Sequence, residues 1–344
     1  MATDSTQKAL SPWSYLLYAE AFVAYDHGLP SGGNRQAFFF NHNRHAQPAL
    51  NLVVGKMGYE KARWKANLAL LTGTYSTDNY AAEPPVLRHL LEANVGYRLH
   101  RTEALWLEAG VFPSHIGFES AFSFDNLTLS RSILAENSPY FLSGAQLKYS
   151  KNNWLAAFLI LNGWQRIQLL NEQRLPAIGT QFTNTRGQWT FNWSSFTGFS
   201  SPDSARLWRT FHNTYAIWKA SKRFTATFGF DIGWQKQAAQ IARWYSPVML
   251  GRYELNKRLF IAGRIEYYTD PKGGHIPSVV LGGFRTWGYS ANLDYQNTDW
   301  LMRIEMRYLQ SPTAALNLDA INQSKNLSFV LSLSGRLQGQ IAKP

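Results

Sequence analysis

The sequence predicts an all-β protein: a transmembrane antiparallel up-and-down β-barrel of about sixteen strands, with a partly inserted segment near 112–140. Three observations carry this. Apolar residues recur at every second position in one segment after another, the period of a strand with two unlike faces. The connections between these segments alternate between short and long, as they do when turns lie on one rim of an even-numbered barrel and loops on the other. No stretch supplies the roughly 18 uninterrupted apolar residues of a membrane helix; the best run, Leu155–Leu161, is far shorter.

The first strand is Ser14–Tyr25. Leu17, Ala19, Ala21, Val23 and Tyr25 share one face, and Tyr18, Glu20, Phe22 and Ala24 the other. An acid in mid-strand is costly against an apolar core and cheap against a wet lumen. A polar stretch with Phe38, Phe39 and Phe40 follows, then strands Ala49–Tyr59 and Arg63–Tyr75. Strand four is Arg88–Leu99, with Leu91, Ala93, Val95 and Tyr97 on one face and Glu92, Asn94 and Arg98 on the other. Strand five is Glu103–Val111. The interval Phe112–Tyr140 loses the period of two. It is too long and too mixed for a free loop in a compact domain, and a short helical turn is expected near Ser130–Ala135.

Beyond it come Phe141–Tyr149, Asn153–Asn162, Ala177–Thr183, Gln188–Phe199, Leu207–Trp218, Arg223–Trp234, Trp244–Leu255, Leu259–Tyr268, Thr286–Tyr295, Trp300–Leu309 and Leu327–Leu337. The expected organisation is an N-terminal tail 1–13, one barrel domain 14–337 and a C-terminal tail 338–344. Sixteen strands enclose a bore too wide for wall side chains to fill, so the more polar face points inward and the apolar face outward. Tyr25, Tyr59, Trp64, Tyr75, Tyr149, Trp154, Trp189, Trp218, Trp234, Trp300 and Tyr308 gather near strand ends, like the aromatic girdles of a membrane barrel.

Composition narrows the function. Only 16% of the 344 residues are charged, against about 25% in ordinary soluble proteins, while 15% are aromatic. There is no cysteine, hence no disulfide, thiolate metal site or thiol nucleophile. The polar start MATDSTQKAL carries no signal region, so for an exported protein the signal peptide is absent from this sequence. Net charge is +12, yet no run of five basic residues occurs, and nucleic acid is not an expected partner. His42 and His45 lack a neighbouring acid or cysteine in sequence, Ser114, His115, Ser138 and His212 form no evident triad, and no phosphate or dinucleotide fingerprint is present. Neither a catalytic residue, a metal nor a cofactor is expected.

The candidate pore-lining residues are the inward charges. Glu20, Arg98 and Glu108 are joined by Arg252, Glu254, Arg264, Glu266, Arg303, Glu305 and Arg307, the last seven in i,i+2 sets on single strand faces. Arg252/Glu254 and Arg264/Glu266 lie on neighbouring strands and are expected to form a ladder. Glu119, Asp125, Arg131 and Glu136 are the charged residues of the inserted segment, and Asp125 and Glu136 are expected to dock it on the basic cluster.

Several short cues together resemble the putative β-barrel porin-2 family, the OmpL-like outer-membrane proteins of Bacteroidetes. They are the Tyr-rich first strand with its inward acid, the hairpin Asn51–Leu70, the run Gly110-Val-Phe-Pro-Ser-His-Ile-Gly-Phe-Glu-Ser, Arg131-Ser-Ile-Leu, Ser138-Pro-Tyr-Phe and Asn162-Gly-Trp. The resemblance implies an outer-membrane location among lipid and a presumed pore, and names no substrate. The expected function is passive diffusion of small polar solutes. The alternative is a non-conducting structural or assembly subunit of an envelope complex, with self-association or an envelope protein as partner.

Overall fold

The computed structural model describes residues 11–169, 173, 175–199, 207–238, 240–318 and 321–341. Of the expected tails 1–13 and 338–344, residues 1–10 and 342–344 lie outside the described residues, as does the connection 200–206.

Alternation of side chains along each segment produces sixteen strands that close into one antiparallel barrel. They are β1 (Trp13–Asp26), β2 (Ala49–Lys61), β3 (Trp64–Thr72), β4 (Leu90–Arg98), β5 (Ala104–Pro113), β6 (Phe141–Lys151), β7 (Trp154–Leu161), β8 (Ala177–Arg186), β9 (Trp189–Phe199), β10 (Trp208–Trp218), β11 (Phe224–Lys236), β12 (Ile241–Glu254), β13 (Leu259–Asp270), β14 (Phe284–Gln296), β15 (Trp300–Gln310) and β18 (Lys325–Gln340). Each pairs with its neighbours, and β18 returns to β1 from Ser14↔Gln340 through Asp26↔Ser328, which leaves no free edge. A small hairpin, β16 (Leu316–Leu318) with β17 (Ile321–Gln323), sits in the connection before β18 and was not expected.

The faces fall as the alternation predicts. Leu17, Leu68, Leu107, Phe158, Ile265 and Leu333 are exposed on the outside, while Tyr18, Glu20, Phe22 and Ala24 are buried inside. An apolar belt around the whole circumference is stable against lipid rather than water.

Four local expectations are corrected. The third strand ends at Thr72; residues Thr74–Asn79 form a helix, α1, which turns Tyr75 into the lumen, fully buried rather than in a girdle. Leu91 points inward, because the register of β3 against β4 shifts between Ala69 and Leu70 and makes Leu91 an extra residue. Arg223 is exposed in the turn before β11 and is not a wall residue. The last strand runs to Gln340, three residues past its expected end.

The larger correction concerns the lumen. It is not simply wet: it holds an apolar core supplied by chain that enters from the loop side. Phe38 and Phe39 of the connection 27–48, Ile116 and Ile133 of the segment 112–140, and Ile276 of the connection 271–283 pack against wall residues Leu159, Phe196, Phe211, Trp244 and Phe284. Wall side chains cannot meet across so wide a barrel; inserted chain fills the gap.

Candidate functional site

The segment 112–140 has little regular structure: a single 3-10 turn at Ser123–Asp125 and the short helix α2 (Ile133–Glu136), capped by the Ser132 hydroxyl at the backbone N–H of Ala135. Its backbone groups therefore need partners that the strand ladder does not provide. They find some within the segment and many on wall strands other than β5 and β6.

The path begins at β5 and crosses first to β8–β11. Ser194 donates to the carbonyl of His115, and the backbone N–H of Gly117 donates to Asn213. Two glycines make room. A Cβ at Gly179 would stand 2.8 Å from the His115 ring, and one at Gly229 would stand 2.4 Å from the Phe118 ring. The segment then reaches β1, where Ser123 donates to Glu20 at 2.5 Å, and it closes on β13–β15.

There the wall charges act. Arg303 holds Asp294 with Nε and Nη2, both at 2.9 Å, and donates to the carbonyls of Ser123 (2.8 Å), Leu127 (2.9 Å), Thr128 (3.1 Å) and Asn126 (3.3 Å). A guanidinium has five N–H donors in a fixed fork, which suits one carboxylate and a turn of unpaired carbonyls. Arg264 donates to the Ser130 carbonyl at 2.6 Å and Arg307 to that of Arg131 at 2.9 Å. Glu305 accepts from the backbone N–H of Ser130 at 2.8 Å and from its hydroxyl. Glu266 accepts from the backbone N–H of Ile133 at 2.6 Å, and Asn292 from that of Leu129 at 2.8 Å.

These wall groups also pair with each other. Arg264 lies 3.1 Å from Glu266 and 3.2 Å from Glu305, Arg307 lies 2.5 Å from Glu266, and Arg252 lies 3.1 Å from Asp294. The expected ladder between β12 and β13 is thus replaced by a lattice centred on β13 and β15. Glu254 is half-buried and has no ion-pair partner among the described residues. Pairing across β14 follows from side-chain length: Arg and Glu reach over one strand, and Arg264, Glu266 and Asp294 each meet two opposite charges.

The expected docking through Asp125 and Glu136 is also corrected. Asp125 pairs with Arg336 of β18 at 2.5 Å. Glu136 turns to the connection 27–48, accepting from the backbone N–H of Phe40 (2.8 Å) and Asn41 (3.2 Å), with Arg131 Nε at 3.7 Å. Arg131 stacks 3.4 Å above the Tyr140 ring. Glu119 stays within the segment and accepts from Ser132. On β1, Glu20 also accepts from Asn51 at 2.8 Å and has His42 Nε2 at 3.2 Å, so the acid that His42 lacks beside it in sequence comes from the strand that precedes its connection. Sequence reasoning missed the connection 27–48 as a second lumen element; three consecutive phenylalanines in a polar stretch were the available signal.

The turn-side half of the lumen is different. Lys56 pairs with Glu92 at 2.7 Å and Lys65 with Glu108 at 2.5 Å, Gln146 donates to Glu108 at 3.1 Å, and Arg98 stacks 4.8 Å from the Trp106 ring with Glu60 at 3.9 Å. Here Lys56, Lys65, Arg98, Lys148 and Arg252 keep partial exposure, so this half forms a charged, wetted vestibule below the inserted segment.

Burial pushes His115 down to about 4 and raises the carboxyl of Glu119, the latter opposed by Arg264 and Ser132. A docked His115 stays neutral where a released one, near its ordinary 6.5, takes up a proton. Its contribution to docking is therefore complete above about 6.5 and is lost as pH falls toward about 4. Glu119 acts in the opposite sense, so the His115 part is isolated by His115→Gln. Protease cleavage within 112–140 is expected to rise less on acidification in this variant than in the wild type; equal rises would contradict the assignment.

Fold and lumen together define a porin-type barrel of sixteen strands whose bore is crossed by an internal segment. The chain belongs to the family described as putative beta-barrel porin-2, OmpL-like, whose profile matches residues 16–335. Among solved structures it is similar to the anion-selective porin from Comamonas acidovorans (TM-score 0.62, 9% identity, 94% of this chain and 99% of that one). It is also similar to the outer membrane channel DcaP of Acinetobacter baumannii (TM-score 0.62, 8% identity, 94% and 96%) and to a mutant porin of Rh. blastica (TM-score 0.56, 9% identity, 94% and 100%). At such identities these likenesses concern the fold. No curated protein matches the sequence.

Proposed function

We infer that this chain is an outer-membrane channel, from a bacterium of the Bacteroidetes, for passive diffusion of small polar solutes. The observation that carries this is the division of the lumen: a wetted, charged vestibule on the turn side leads to a narrowing where the segment 112–140 lies on the lattice of β13–β15. The charges of that lattice, Arg252, Arg264, Arg303 and Arg307 paired with Glu266, Asp294 and Glu305, all stand on one wall. The facing wall presents neutral polar groups, Gln146, Gln181, Asn192 and Ser194. Such an uneven distribution sets a field across the path that favours hydrated polar solutes over apolar ones.

Planar-bilayer recording of the purified barrel tests this. Stable open-channel steps are expected, and charge reversal at Arg264 or Arg303 is expected to change their size and ion preference. A folded barrel that stays silent and copurifies stoichiometrically with another envelope protein would instead support a structural or assembly role.

A further inference from the structure

Five loop-side connections converge on a pocket of about 220 Å³. It is bounded by Phe40, Glu83, Asn137, Trp164, Arg166 and His275, among others. Most of the neutral donors around it are committed, the buried Tyr80 hydroxyl excepted, which has no hydrogen bond among the described residues. Asn79 donates to the carbonyls of Tyr75 and Phe40, and Asn137 to those of Phe38 and Ile133. Gln165 donates to the carbonyl of Asn79 and accepts from the backbone N–H of Tyr140. His275 donates to the carbonyl of Asn137, and burial, with repulsion from Arg209, pushes it down to about 3, so it is neutral.

Two charged groups are also less than fully engaged. Glu83 is 3% exposed, and one of its oxygens accepts from the backbone N–H of Ile167 at 2.9 Å. It lines the pocket, has no ion-pair partner among the described residues, and its second oxygen accepts no hydrogen bond among them. A carboxylate buried without a cation is unfavourable. Next to Ile167 in the connection after β7, Arg166 donates once, to the carbonyl of Ala82 at 3.0 Å, and likewise has no carboxylate partner among the described residues. The indole N–H of Trp164 makes no hydrogen bond among the described residues, and one of its faces is stacked 4.9 Å from the Arg209 guanidinium.

We propose that this pocket binds a small zwitterion carrying an ammonium and a carboxylate, of the size of a short amino acid. Glu83 takes the ammonium and Arg166 the carboxylate. A simple anion meets Glu83, a metal ion meets Arg166, and a sugar leaves both charges unmatched; a zwitterion complements both. This rests on the channel reading and supplies its solute class.

The test is ligand-observed NMR on the full barrel in detergent micelles, with alanine, ethylamine, propionate and glucose as probes. Alanine is expected to bind, with the single-headed probes and glucose weaker by about tenfold or more. Glu83→Gln keeps an acceptor for the Ile167 N–H; it and Arg166→Gln are each expected to weaken alanine by roughly tenfold, as the loss of one charge-assisted contact does, with heat-modifiable migration of the barrel unchanged. Equal binding of glucose or a single-headed probe, unaltered affinity in both variants, or no alanine binding would overturn the proposal. Conductance without alanine binding sinks the site and leaves the channel; alanine binding without conductance does the reverse.

Discussion

Replacing Glu119–Glu136 by a Gly/Ser linker of about six residues is expected to raise single-channel conductance by at least about twofold, since a barrel of sixteen strands left unfilled holds an aqueous channel. The barrel should survive the change. Its ladder closes between β1 and β18 without help from the segment, and the charges of β13–β15 would be solvated by the water that replaces it. The removed chain carries the carbonyls that Arg303 binds, the backbone N–H groups that Glu266 and Glu305 accept from, and the Glu136 carboxylate that ties Phe40 and Asn41. The connection 27–48 should therefore loosen as well. Unchanged conductance in a folded barrel would move the constriction to Phe38 and Phe39, which would then close the lumen without the segment.

Arg303→Met is expected to be the most damaging single substitution in the lattice. It leaves Asp294 and the carbonyls of residues 123 and 126–128 buried without their donor. Breaking a buried ion pair by removing one partner costs about 3–5 kcal/mol; Arg252, 3.1 Å from Asp294, offsets part of it. Arg336→Met is the matched control. Its partner Asp125 is 45% exposed, and pairs of this kind contribute about 0–1 kcal/mol. Protease protection of the segment, measured across a urea titration of the reconstituted barrel, should fall at clearly lower urea for Arg303→Met than for Arg336→Met. Equal midpoints would mean that the apolar contacts of Ile116, Ile133 and Leu134, not the guanidinium, hold the segment.

Strand number, strand facing and the alternation of turns and loops were legible in the sequence because all three are local. A strand places residues i and i+2 on one face whatever lies beyond it. Glu20 inward and Leu17 outward therefore follow from Ser14–Tyr25 alone. Where a register shifts, as between Ala69 and Leu70, the same rule misplaces Leu91, since the extra residue is defined only by the partner strand. Tyr75 was misread for a related reason: an aromatic beside a strand end looks the same in sequence whether the chain continues outward or folds back as α1.

The candidate charges were also legible as inward groups, but their partners were not. Arg264 and Glu266 share a strand face by spacing, yet their other contacts, Glu305 and Arg307, lie on β15, and the registers of β13 and β15 against β14 decide which side chains come within reach. The docking of 112–140 lay furthest beyond sequence. It is made chiefly by side chains binding backbone carbonyls and N–H groups, and every residue carries those groups, so no side-chain pattern records them. The sequence determined which face each wall residue presents, through the strand's period of two. Only the tertiary structure decided which irregular chain those faces hold, because an aperiodic backbone takes its partners from whatever wall stands opposite it.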